Sequence, residues 1–163
     1  PAYLHHRPDH DGEGNGTQRY AEGLFVGYRH YDATDTPVRF PFGHGLSYGD
    51  ATWGDAVLDA ENRSVTVTVP ITCTSDRAAT VVVQGYVEAV APGYMRPRLE
   101  LKAWDKLTVE PGTTVNAVLE LDPTAFRRWD TAADDWRLEP GEYDIVLAAS
   151  ANDERQRHRV TIS

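Results

Sequence analysis

Ser64-Val-Thr-Val-Thr-Val69 alternates valine with hydroxyl-bearing residues at a period of two. Successive side chains of an extended strand point to opposite faces, so the valines share one face and the hydroxyls the other. The same texture continues along the chain. Residues 80–90 form a second β-branched run, Leu99-Glu-Leu-Lys102 alternates, and Leu107-Thr-Val109 resumes the pattern. Val115, Ala117, Leu119 and Leu121 mark another strand between the turn signals Pro111-Gly112 and Asp122-Pro123. Tyr143, Ile145 and Leu147 mark the next, and Val160 with Ile162 the last.

Short strands separated by turns, with no helical pattern between them, predict an all-β fold. The expected form is an antiparallel sandwich of about seven strands, the size of an immunoglobulin-like domain. Leu138-Glu-Pro-Gly-Glu-Tyr143 adds a local signal. A tyrosine entering a late strand after a Pro-Gly corner suits the tyrosine corner of such sandwiches, although an ordinary core tyrosine would read the same way.

Before residue 51 the texture differs. Residues 9–17 are polar and glycine-rich, which predicts an exposed loop. Tyr20-Ala-Glu-Gly-Leu-Phe-Val-Gly-Tyr-Arg-His-Tyr31 and Phe40-Pro-Phe-Gly-His-Gly-Leu-Ser-Tyr48 are rich in apolar and aromatic residues but broken by glycine. They are too short and too interrupted for self-sufficient helices. Apolar side chains on irregular backbone pack against something else. Residues 1–50 are therefore expected to be a connector clamped onto a neighbouring domain, and 51–163 the sandwich. Severed from that neighbour, the connector should be partly disordered or folded back over the sandwich.

Composition narrows the function. A formal net charge of -9 argues against nucleic-acid or anionic-membrane partners, which need a basic face. No apolar run approaches the roughly 20 residues of a membrane-spanning helix. The chain opens at Pro1 with nothing resembling a signal peptide, which gives it the look of an excised piece. Its one cysteine, Cys73, closes a valine-rich strand and is expected to be a small buried hydrophobe.

Two pairs of motifs closely resemble a known family. Tyr20-Ala-Glu-Gly-Leu-Phe-Val-Gly-Tyr-Arg-His-Tyr-Asp32 followed by Pro37-Val-Arg-Phe-Pro-Phe-Gly-His-Gly-Leu-Ser-Tyr48 resembles the junction in family 3 glycoside hydrolases of β-glucosidase type. There the end of an α/β sandwich domain leads into a fibronectin III-like domain. Pro1-Ala-Tyr-Leu4 is similar to the short motif that precedes this junction. Arg98-Leu-Glu-Leu-Lys-Ala-Trp-Asp-Lys-Leu107 resembles the strand after the central loop, and Trp136-Arg-Leu-Glu-Pro-Gly-Glu-Tyr143 the penultimate corner. The long polar loop before Gly16 and the absence of a glycine in residues 148–153 depart from the pattern.

The resemblance implies a parent that hydrolyses O-glycosyl bonds with retention, using two carboxyl groups about 5–5.5 Å apart. In the family both lie upstream of this region, so no catalytic residue is assigned here and the chain alone is expected to be inactive. Glu22 is the most tempting carboxylate, but one carboxylate cannot perform both halves of the reaction, and a structural partnership with Arg29 or a backbone amide is expected. Asp9-His-Asp-Gly-Glu-Gly-Asn15 imitates a calcium loop, yet Tyr20 stands where a bidentate glutamate is needed. His5, His6 and His10 lack the paired spacing of a zinc site, and His44 suits a packed or hydrogen-bonded role. No cofactor or metal is assigned.

The expected function is architectural: an accessory fibronectin III-like domain that stabilises the enzyme, its partners being the upstream catalytic domains of the same chain. Phe25, Tyr28, Phe40, Phe42 and Tyr48 are the candidates for interdomain packing, each burial being worth roughly 1.5–3 kcal/mol. Two other readings stay open. In one the sandwich is a carbohydrate-binding module using Trp104, Trp129 and Trp136, which would require two or more exposed rings in a plane. In the other it mediates protein interaction or homodimerisation through an exposed edge. Trp104 falls on the polar phase of its strand unless a bulge resets it, and Trp129 and Trp136 flank an expected surface loop, residues 130–135.

Overall fold

The alternation that opens the sequence argument organises the core. In the computed structural model, which describes residues 22–163, the strand Ser64–Cys73 buries Val65, Val67, Val69, Ile71 and Cys73 on one face. In chain order the elements are helix α1 (Tyr28–Ala33) and strands β1 (Ala51–Trp53), β2 (Val57–Glu61), β3 (Ser64–Cys73), β4 (Ala79–Ala89), β5 (Glu100–Val109) and β6 (Thr114–Leu121). A 3₁₀ turn (Pro123–Phe126) then leads to β7 (Arg127–Asp130), β8 (Asp135–Leu138), β9 (Gly141–Ser150) and β10 (Asp153–Ile162).

Two antiparallel sheets face one another. In the first, β6 flanks one edge of β3, while β1 and β2 share the other. The second runs β10-β9-β4-β5. Counting β1 and β2 as one interrupted strand gives the seven expected of the sandwich. Between the sheets the β3 residues meet Ala117, Leu119 and Leu121 of β6, with Val83, Val87, Val109, Ile145, Leu147 and Ile162 opposite. The tyrosine corner is present: Tyr143 Oη donates to the Glu139 carbonyl at 2.6 Å, and its ring meets Phe126 edge-on at 5.1 Å.

One local reading needs correction. Part of the segment read as irregular forms α1, anchored by tertiary contacts rather than by its own length. Residues 130–135 are at the surface as expected and form the turn of a hairpin, with β7 and β8 pairing from Arg127↔Leu138 to Asp130↔Asp135. Asp130 Oδ1 closes that turn by accepting from Ala132 N at 3.0 Å, a local side-chain bond that a polar run does not advertise.

The break between β1 and β2 has a chemical cause. It lies opposite Pro70, in the middle of β3. Gly54 N–H donates to the Pro70 carbonyl at 2.7 Å, but proline has no N–H to return the bond. Gln156, reaching across from β10, replaces it: its Nε2 donates to the Gly54 carbonyl at 2.8 Å, and its Oε1 accepts from Ala56 N at 2.9 Å. One amide thus repairs the ladder and ties the two sheets along one side. On the other side, Asp105 of β5 accepts from Val118 N of β6 at 3.1 Å.

Gln156→Ala should cost about 1–3 kcal/mol, because two partly buried backbone groups lose their partners. Pro70→Ala restores an N–H opposite Gly54, so the double variant should lose less than the sum of the singles. A urea-denaturation double-mutant cycle measures this, and strict additivity would refute the repair.

Candidate functional site

The strands β4 and β9 are covered on both faces. Tyr143, Ile145 and Leu147 enter the core, but the alternate residues Asp144, Val146 and Ala148 are buried too. On β4, Gln84 and Tyr86 likewise point away from the core and are buried. A β-bulge supplies the rest of this outer face. Leu101 lies opposite Tyr86 and Ala103 opposite Gly85, leaving Lys102 as the extra residue. The side-chain phase of β5 flips there. Leu99 and Leu101 therefore join Tyr86, Val146 and Ala148 in a second apolar cluster, while Ala103, Leu107 and Val109 stay with the core.

Residues 22–50 provide the cover. Tyr28 lies edge-on to Tyr86 at 5.7 Å and stacks on Phe42 at 5.2 Å. Its Oη accepts from Leu101 N at 2.9 Å, at the bulge. Burial pushes the Tyr86 phenol well above its ordinary range, and its hydroxyl donates to Gln84 Oε1 at 2.7 Å. The Phe42 carbonyl accepts from Ala151 N at 2.9 Å, and Ser47 Oγ accepts from Thr80 N at 2.9 Å. Two motif glycines are required by the fit. Gly43 has φ +84° and lies so close over Gln84 that a Cβ would fall 1.9 Å from its Nε2. At Gly49 a Cβ would meet the Arg77 carbonyl at 2.3 Å.

Ion pairs continue the cover toward β10. Arg98 Nε donates to both Asp32 carboxylate oxygens at 3.1 and 3.2 Å. Arg98 also meets Glu88 at 3.3 Å, and Glu88 accepts from Arg157 at 2.7 Å. Arg157 continues to Asp144 at 3.1 Å and to Glu154 at 2.9 Å. Arg159 and Arg157 hold the Asp144 carboxyl below the usual carboxylate range, and Arg157 does the same to Glu154. These carboxylates are each occupied by a guanidinium, the arrangement of a structural network.

The predicted packing residues divide. Tyr28 faces the sandwich and Phe42 touches it through Tyr28, whereas Phe40 is 70% and Tyr48 92% exposed. Phe25 is half-buried. Leu24, Val26 and Leu46 join Phe40, Phe42 and Tyr48 as exposed apolar side chains of the same segment. His44 packs near Phe40, with ring centroids 5.3 Å apart. Trp104 is exposed, but for a different reason from the one expected. The bulge puts it opposite Gln84 on the same outer face as Leu101. Trp129 and Trp136 pair across the hairpin with planes at 78°, so they form a corner rather than a coplanar platform. Cys73 is buried as expected. His5, His6, His10 and the Asp9 loop lie outside the described residues. Sequence reasoning missed the second cluster and the ion network. The unbroken apolar run Ile145-Val-Leu-Ala-Ala149 was the available signal, since a strand buried on both faces loses its alternation.

A fibronectin type III-like domain model matches residues 81–151, from within β4 to just past β9. A β-glucosidase of Rhizobium radiobacter is 43% identical over 144 residues, covering 86% of this chain and 18% of that enzyme. An exo-α-(1→6)-L-arabinopyranosidase of Bifidobacterium longum is 40% identical, covering 82% of this chain and 18% of that enzyme. The crystal structure of the GH3 β-glucosidase of Bifidobacterium adolescentis superimposes with a TM-score of 0.86 at 36% identity, over 91% of this chain and 22% of that one.

Sandwich, tyrosine corner and domain match together define a fibronectin type III-like domain carrying its own covering segment. More particularly, the chain matches the C-terminal region of the family 3 β-glucosidases and spans about a fifth of the length of the relatives quoted.

Two outcomes test the site. Gly43→Ala should destabilise the chain by about 1–3 kcal/mol in thermal melts, through backbone strain and displacement of Gln84. Asp144→Asn should be less stable than the parent at neutral pH, with the gap closing as pH falls below about 4. The folded-state carboxyl is depressed, so its stabilisation is present above the unfolded pKa and is lost as acid protonates the native state.

Proposed function

We propose that this chain is the accessory, stabilising end of a family 3 glycoside hydrolase, and that residues 22–50 join its sandwich to the catalytic domains. The parent enzyme is a retaining hydrolase of β-glucosidase type. The observation that carries this reading is the two-sidedness of that segment. One side is fastened to β4, β5 and β9 through Tyr28, Phe42, Gly43 and Ser47. The remainder leaves Leu24, Val26, Phe40, Leu46 and Tyr48 exposed. An apolar set of this kind on one short segment calls for a covering surface. Retaining hydrolysis needs a closely spaced carboxyl pair, and the carboxylates of the ion network are bound to arginines instead. The chemistry belongs to the rest of the enzyme. The choice of sugar belongs there too, since relatives named for different glycosides resemble this region to nearly the same degree.

Phe40→Ser with Tyr48→Ser should lower the melting temperature of the full-length enzyme by several degrees, while shifting that of this chain by no more than about 1 °C. Equal shifts in both would place these side chains inside the sandwich unit and sink the joining role. In parallel, nitrophenyl glycosides should be hydrolysed by the full enzyme and not by this chain. Turnover by the chain alone would overturn the accessory reading.

A further inference from the structure

Helix α1 cannot stand by itself. Six residues are far below the length at which helices persist in water, its N-cap is Gly27, and none of its residues is fully buried. It is held mainly at two points. At its first residue Tyr28 packs on Tyr86 and accepts the Leu101 N–H. At its fifth, Asp32 is gripped by the Arg98 guanidinium through both carboxylate oxygens. Arg98 is in turn fixed by Glu88 of β4, which shares Arg157 with Asp144 of β9 and Glu154 of β10. The C-terminal end of α1 is thus tied to β4 through Arg98, and onward to β9 and β10 through Arg157.

The attachment is also separable from the core. No residue of the 22–50 segment belongs to the cluster between the sheets, and only Tyr28 of that segment packs against the outer cluster. The pair faces a cleft of about 410 Å³ that Tyr31, Asp35, Asn152 and Glu154 also line, and the Arg98 side chain is 47% exposed, so mobile ions reach it.

We infer that Asp32 and Arg98 form a releasable latch, which holds helix α1 down and lets it lift from the sandwich while the Phe42, Gly43 and Ser47 attachments and the core stay in place. Its purpose rests on the joining role proposed above: α1 lies within the segment that joins the sandwich to the catalytic domains, and releasing the latch loosens one end of that joint.

Amide hydrogen exchange on this chain tests the latch directly. Leu101 N–H, bonded to Tyr28 Oη, and Thr34 N–H, bonded to the His30 carbonyl, report docking of α1; Val67 and Leu119 report the core. In Arg98→Met the first two amides should exchange about fivefold faster, with Val67 and Leu119 unchanged. Sodium chloride at about 1 M should accelerate the same pair in the parent chain and add little in the variant, because the interaction it screens is already gone. Arg98→Lys, which keeps the charge but not the fork, should fall between the two. Unchanged Leu101 and Thr34 exchange in Arg98→Met would refute the latch. Equal acceleration of Val67 would refute it as well, since cover and core would then open as one unit. The full-length melting experiment is unaffected by either result, so failure of the latch and failure of the joining role are told apart.

Discussion

The outer face of the β10-β9-β4-β5 sheet is the constraint on which the rest of the structure depends. Tyr86, Leu99, Val146 and Ala148 form an apolar surface on the side away from the core. A sheet with one face on the core can leave the other to water only if that face is polar. Here it is not, so a further layer must lie on it. Residues 22–50 are that layer, and the places of Tyr28, Gly43, Gly49 and Asp32 follow from the fit. Tyr28 packs over Tyr86, Gly43 lets the backbone pass over Gln84, and Asp32 meets Arg98 where the surface turns polar.

Such a layer is regular structure only where the sandwich makes it so. The segment has too few residues in any one run to pay for helix nucleation from local bonds. Its six helical residues owe their geometry to a phenol in an aromatic pocket and a carboxylate in an arginine fork. A polypeptide ordered by what it lies upon is also one whose far side is available for another surface. Under the proposed joining role, the exposed phenylalanines and tyrosine next to it would meet that surface.

The sandwich carries a comparable economy along its open sides. Side chains do there what backbone cannot. Pro70 removes one ladder bond from β3 and Gln156 returns it from the opposite sheet, while Asp105 receives the Val118 amide on the other side. The Asp105 bond leaves the β6 edge one open donor fewer to offer a second strand. The hairpin β7–β8, with its crossed Trp129 and Trp136, stands apart from the two sheets as an addition between β6 and β9.

What the sequence determined by itself was whatever depends on local spacing. Alternation in residues 64–69 fixed which face of β3 is the core, because side-chain period in a strand is a property of the backbone alone. Turn residues placed the connections, the Pro-Gly corner placed Tyr143, and two long motifs identified the region through their resemblance to family 3 enzymes. That residues 22–50 pack against something was legible as apolar content without periodicity, though not which way each ring would turn. Only the tertiary structure decided the rest. The bulge at Lys102 reverses the phase of β5, so Leu99 and Trp104 share a face that strict alternation would have separated. Gln156 and Pro70 lie 86 residues apart by number and are related only through the meeting of two sheets. Asp32 finds Arg98 across 66 residues because α1 is laid on β4 and β5. Such pairings are set by how sheets twist, break and stack, and no local pattern encodes a partner that the chain meets only after it has folded.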